Sequence, residues 1–88
     1  MKYKIKFLSS KKMPIWAGMN FWASKALHLK TAPYKNMKPN EILLDKEYPA
    51  KTLRKNLVHE LTEAKLIKRG MSYPKAHRIA LKTEKKVR

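Results

Sequence analysis

An α+β domain, a small β-sheet packed against two or three helices, is what this sequence predicts, and three observations predict it. Between Lys2 and Phe7, lysines alternate with Tyr3, Ile5 and Phe7. That period of two sends three apolar side chains to one sheet face and three ammonium groups to water. Glu41 to Asp45 reads Glu-Ile-Leu-Leu-Asp, a short apolar run following a stretch rich in Pro and Asn, as a buried strand does. Ala50 to Arg69 then contains no Gly or Pro and consists mostly of good helix formers.

Taken in order, residues 2 to 8 predict a strand whose lysines suit a guarded sheet edge. Ser9 to Lys12 predict a loop. A helix is expected from Pro14 to about Leu29, because Pro is tolerated in a first turn and Trp16, Met19, Ala23, Ala26 and Leu27 fall roughly on one face. Gly18 and Asn20 are poor helix formers in its middle. Pro33 to Asn40 predict a loop and residues 41 to 45 the second strand. The long helix should run from about 51 to 69, with Gly70 as its stop. Ser72 is a natural N-cap for a last helix, with Pro74 in its first turn, reaching about Lys86. Eighty-eight residues make one small domain. It divides into a basic, strand-containing half (1–45) and a helical hairpin (51–86).

The chain carries 22 Lys and Arg against 6 Asp and Glu, a formal charge of +16. A field that strong attracts polyanions, so DNA or RNA is an expected partner, although lysines also make a solubilising surface. Without cysteine there is neither a disulfide framework nor a thiolate metal site, which predicts a cytoplasmic protein. The start lacks the apolar core of a secretory signal, and no stretch approaches the roughly 20 apolar residues of a membrane span. The expectation is a soluble, unprocessed chain that does not enter a membrane.

Residues 1 to 40 contain no Asp or Glu, yet His59-Glu60-Leu61-Thr62-Glu63 brings two carboxylates beside a histidine. At about 100° per residue, Leu53, Leu57, Leu61, Ala64 and Ile67 form one apolar stripe of the helix, and Glu60 falls in its middle. A carboxylate there must be paired, hydrogen-bonded or placed where the core opens onto a site. His59 and Glu63, four apart, can reach one ion from adjacent turns. If the next helix folds back across the turn at 69–72, His77 supplies a third ligand. Two imidazoles and a carboxylate leave a fourth position for water on zinc, the open arrangement of a hydrolytic site, with Glu60 as general base. Glu84, seven residues after His77, lies on the same face as a further ligand or its outer partner. His28 has no acidic neighbour in sequence and is read as a bystander. The plain alternative is a helical charge pair plus an interhelix histidine.

The stretch Ile42-Leu43-Leu44-Asp45-Lys46-Glu47-Tyr48-Pro49, with Leu53-Arg54 and Leu57-Val58-His59-Glu60-Leu61, resembles the core of zincin metallopeptidases, particularly the compact ImmA/IrrE-like group. Val58-His59-Glu60-x-x-Glu63 followed by Gly70-Met71-Ser72-Tyr73-x-x-Ala76-His77-Arg78-Ile79-Ala80 is more closely similar to small phage or prophage proteins that pair a His-Glu-x-x-Glu helix with an Ala-His helix. The likeness covers roughly residues 41 to 80. It implies a minimal zincin-like core, a zinc ion, His59 as first ligand, Glu60 as base, a peptide substrate and, for a phage-encoded protein, the host cytoplasm. Glu63 departs from the family pattern by standing where the second histidine belongs, which fits a minimal or degenerate site better than an established peptidase.

Two rival readings compete. A nucleic-acid-binding module would use Lys75, Arg78, Lys82, Lys85 and Lys86 of the last helix as phosphate contacts. Leu66, standing four before Gly70 where a tight helix-turn-helix wants a small residue, favours a looser hairpin. A structural or virion-associated protein would instead have its carboxylates tied up by lysines.

Overall fold

A computed structural model describes residues 2–13 and 15–87 of the chain. Three strands, β1 (Lys4–Leu8), β2 (Gly18–Asn20) and β3 (Glu41–Asp45), and three helices, α1 (Phe21–Ala26), α2 (Ala50–Lys68) and α3 (Tyr73–Glu84), follow in the order β1-β2-α1-β3-α2-α3. Short 3₁₀ turns at Ser10–Lys12 and Tyr34–Asn36 shape the connecting loops. The expected α+β architecture is therefore present, with its sheet ordered β1-β3-β2.

β3 takes the centre because every one of its residues is buried. β1 pairs with it in parallel, Ile5 opposite Ile42 and Phe7 opposite Leu44. On its other side β2 runs antiparallel, with Gly18 opposite Leu44 and Asn20 opposite Ile42. Ile42 and Leu44 thus point to one face and Leu43 to the other. Leu43 joins Met13, Met19, Ala23, Tyr34 and Met37 in the main apolar cluster. A carboxylate closes each end of β3. Glu41 accepts the backbone N–H of Lys38 at 2.8 Å and lies 2.6 Å from the Lys6 ammonium. Asp45 accepts from the Ser10 hydroxyl at 2.6 Å and from the Glu47 backbone N–H at 2.9 Å. Hydrogen bonding from Lys6 holds the Glu41 carboxyl below the usual carboxylate range.

One expected element is corrected. The segment read as a helix from Pro14 to Leu29 contains β2 and only a six-residue helix, α1; Pro14, its proposed opener, lies outside the described residues. Gly18 and Asn20, the weak points of the helical pattern, are what the strand and its turn require. A Cβ at Gly18 would stand 3.2 Å from the Glu60 side chain and 3.2 Å from Leu44 Cδ2, so the absence of a side chain lets β2 lie against α2. Asn20 stays extended (φ −122°, ψ 159°) and its Oδ1 accepts the Ala23 N–H at 2.8 Å, capping α1.

The two long helices form close to where the sequence places them. α2 stops in a Schellman turn, with Gly70 at φ 105°. There the Met71 N–H returns to the Leu66 carbonyl at 3.1 Å and the Gly70 N–H to the Ile67 carbonyl at 2.9 Å. That turn folds α3 back along α2, the most extensive helix contact in the molecule. A three-stranded sheet cannot cover a 19-residue helix, and the expected apolar stripe is only partly covered. The buried residues of α2 are His59, Glu60, Glu63 and Ala64, while Leu53, Leu57, Leu61 and Ile67 are intermediate. No helix among the described residues is long and apolar enough to cross a membrane.

Candidate metal centre

Three of the four buried residues of α2 are polar, His59, Glu60 and Glu63, and that inversion builds the site. His59 and Glu63 stack one turn apart on the flank facing α3, and His77, in the second turn of α3, meets them. Glu63 Oε2 receives both imidazoles, His59 Nε2–H at 2.9 Å and His77 Nδ1–H at 2.7 Å. One ligand atom from each of His59, Glu63 and His77 lies within 4.8 Å of the other two, so this group could hold a metal ion. Glu63 is almost wholly buried, whereas the His77 side chain is 39% exposed. The cluster therefore opens to solvent on the α3 side.

Each member is held by a partner outside the trio. His59 Nδ1–H donates to Glu84 Oε1 at 2.6 Å. With both ring nitrogens facing carboxylate oxygens, the imidazole bears two protons in the metal-free protein. Burial disfavours that charge, but the hydrogen bond to Glu63 and the charges of Glu60 and Glu63 outweigh it and raise the His59 pKa to about 9. Burial likewise opposes a charge on Glu63, yet the two imidazoles donating to it hold its pKa below the usual carboxylate value. His77 stacks on Tyr73, centroids 5.3 Å apart and planes 22° from parallel, and meets His59 edge-on at 4.9 Å. Burial, with the charges of Glu63 and Glu60 nearby, raises the Tyr73 pKa and keeps its phenol neutral.

Asn20 is a site residue that sequence reasoning missed. Its Nδ2 donates to Glu60 Oε1 at 2.8 Å and to Glu63 Oε1 at 3.2 Å while its Oδ1 caps α1. One side chain thus ties β2, α1 and both carboxylates of α2 together. The available signal was local: an Asn three residues before Ala23, at the start of Phe-Trp-Ala-Ser, is a helix N-cap. Its reach to α2 had no local signal.

Glu60, expected as the base, sits beside the trio and not in it. It is wedged between α2 and β2 against Gly18. Burial, reinforced by the Glu63 charge, raises its pKa to about 8, so it carries a proton at neutral pH. Glu84 occupies the outer position, on His59. His28, the bystander, is exposed at the end of α1 with φ 55°. Lys75, Arg78, Lys82, Lys85 and Lys86 are all exposed on or just after α3.

The donor set suits a borderline-soft divalent ion such as zinc, which takes imidazole nitrogen and carboxylate oxygen in fourfold sites. A carboxylate on the far nitrogen of a ligating histidine is the usual outer partner of such an ion, and Glu84 has that place on His59. Zinc–ligand lengths of about 2.0–2.2 Å put neighbouring ligand atoms roughly 3.3 Å apart. An ion replacing the shared hydrogens would therefore need the 2.7 and 2.9 Å contacts to open by about half an ångström. No protein-family model, curated protein or solved structure matches the chain.

Proposed function

We propose that the protein is a small basic zinc-binding protein of minimal or degenerate zincin type, in which zinc is held by His59, Glu63 and His77. The observation that carries the reading is the convergence of two imidazole nitrogens from different helices on one oxygen of a buried carboxylate, with Glu84 behind the first imidazole. Zinc bound there would supply a Lewis acid and a fixed link between α2 and α3. The chain's own part is to present the ligands: Glu84 aligns the His59 ring, Asn20 aligns Glu63, and Tyr73 aligns His77. Because Glu60 keeps a proton at neutral pH and is buried, the site is read as a binding centre first, and peptide hydrolysis with Glu60 as base as a further step.

Zinc titration followed by thermal melting of wild type, His59→Ala and His77→Ala tests this. Saturation at one zinc per chain with a higher melting temperature, abolished in both variants, supports the reading. A wild type whose melting is indifferent to zinc sinks it. Should zinc bind, a peptide-hydrolysis screen of wild type against Glu60→Gln decides the catalytic step, which requires turnover that Glu60→Gln loses while keeping its zinc.

A further inference from the structure

The charges of this chain are sorted by depth. Four of the six carboxylates, Glu41, Asp45, Glu60 and Glu63, are buried, Glu84 is half-buried on His59, and Glu47 alone is exposed. Every described Lys and Arg except Lys55 is exposed. Glu41 pairs with Lys6, and the other buried carboxylates are held by hydroxyl, amide, backbone and imidazole donors, so the described surface presents mostly cations, a field that attracts polyanions. Of the basic clefts on that surface, one adjoins the start of β1, an outer strand of the sheet. Tyr3, Lys65, Lys68 and Arg69 line a cleft of about 340 Å³ between the start of β1 and the end of α2, and none of these described lining residues carries a carboxylate.

The strand beside the cleft extends it. Tyr3, Ile5 and Phe7 alternate onto the sheet face that α2 packs against, as the pairings of Ile5 with Ile42 and Phe7 with Leu44 require. β1 is the outer strand, and Phe7 projects past the helix with 56% of its surface exposed. Lys2, Lys4 and Lys6 occupy the alternate positions along the same edge. Around α2, Lys65 and Lys68 lie about 180–240° from His59 at 100° per residue, so the cleft and the histidine cluster occupy opposite flanks of one helix.

We propose that the edge of β1 and the cleft at the end of α2 bind single-stranded nucleic acid, with Tyr3 and Phe7 stacking on bases and Lys65 and Arg69 holding phosphates. An exposed Phe7 and a half-buried Tyr3 set among cations are useful to unstacked bases and not to a duplex, whose base faces are already covered. This moves the nucleic-acid surface from the α3 lysines to the other side of the molecule, and it does not depend on the metal.

Fluorescence anisotropy with a labelled oligothymidylate, in chelator and across a range of salt, tests the assignment. The single strand should bind more tightly than a duplex of equal length. Tyr3→Ala and Phe7→Ala should each weaken binding roughly tenfold with the salt slope preserved, as loss of one stacked base does. Lys65→Gln with Arg69→Gln should lower the slope of log affinity against log salt by about 1.4, two released counterions at 0.7 each. Lys75→Gln with Arg78→Gln should change it little. Melting temperatures of these surface variants check that each is folded. Equal binding of duplex, equal loss from the α3 variants, or binding to phosphatidylserine vesicles without binding to the oligonucleotide would each overturn the proposal.

Discussion

Replacing Glu63 by Gln changes one oxygen to an NH₂ and leaves shape intact, yet the geometry forbids the amide from serving all its neighbours. Glu63 Oε2 accepts from His59 and His77, and Oε1 accepts from Asn20 Nδ2. Asn20 cannot turn over in response, because its Oδ1 is held by the Ala23 N–H at 2.8 Å. If the new amide keeps its oxygen toward the imidazoles, its NH₂ meets the Asn20 NH₂. If it flips, its NH₂ faces the two imidazole nitrogens, which must shed the protons they donate before they can accept. A buried donor then faces a donor, costing about 1–3 kcal/mol, or the imidazoles give up their charge, and in both cases the imidazole bonds lose charge assistance worth roughly 1–2 kcal/mol. Cheaper burial of a neutral group offsets part of this, leaving about 2–4 kcal/mol. For a domain of this size, 1 kcal/mol moves the melting temperature by about 4–8 °C, so the expected loss is roughly 10–25 °C. The assay is thermal unfolding at pH 7 in chelator, followed by circular dichroism. A variant melting within about 3 °C of wild type would refute the idea that Glu63 is the acceptor on which the interior converges.

Glu60→Gln should behave oppositely: with the wild-type pKa raised to about 8, an amide replaces a carboxyl that is already neutral at pH 7. Because the unfolded chain holds that carboxyl ionised at pH 7 and the amide has no proton to take up, the variant should melt above wild type at pH 7 and by a wider margin at pH 9, read from the same melts. Asn20→Asp keeps the cap on α1 but buries a second charged acceptor against the Glu63 carboxylate and removes the donor to both glutamates, and urea titration should show a loss of at least about 2 kcal/mol; a loss under about 0.5 kcal/mol would mean the residue only caps. Gly18→Ala forces a methyl to within 3.2 Å of Glu60 and Leu44, for a cost of about 1–3 kcal/mol in the same titration. The metal-free protein should lose stability as pH rises. His59, raised to about 9, contributes fully below its unfolded value near 6.5 and loses that contribution as pH climbs through 9. Glu60, raised to about 8, binds a proton that the unfolded chain has already released, so it adds to the same downward slope. Saturating zinc should reverse the trend, because its ligands must shed protons to bind it, and melts at pH 6 and pH 9 with and without zinc measure both slopes.

The parts of the fold that were legible in the sequence are those written in local pattern. The lysine alternation of β1, the apolar run of β3 and the helices around Gly70 carry their periods and stop signals in contiguous residues. His59, Glu63 and His77 were legible for the same reason, since helical spacing and one tight turn bring them together. β2 was not, because three residues are too few to show a period and the neighbouring apolar residues fit a helix equally well. Gly18 is explained by Glu60 and Leu44, both far away in the sequence and pressed against it. The double role of Asn20, cap to α1 and donor to α2, likewise arises in packing. The apolar stripe of α2 misled in degree: a sheet this narrow leaves its leucines partly open, while the polar residues gathered between α2, α3 and β2 are the ones covered.

The claim that His59 Nε2, Glu63 and His77 Nδ1 take a single zinc is tested most directly by nitrogen-15 chemical shifts of the histidine rings during a zinc titration. Nε2 of His59 and Nδ1 of His77 should move to metal-bound values together and saturate at one zinc per chain, while His28 stays where it was and His59 Nδ1 keeps its proton toward Glu84. Rings of His59 and His77 that hold their metal-free shifts at excess zinc, or that move only alongside His28, would contradict it.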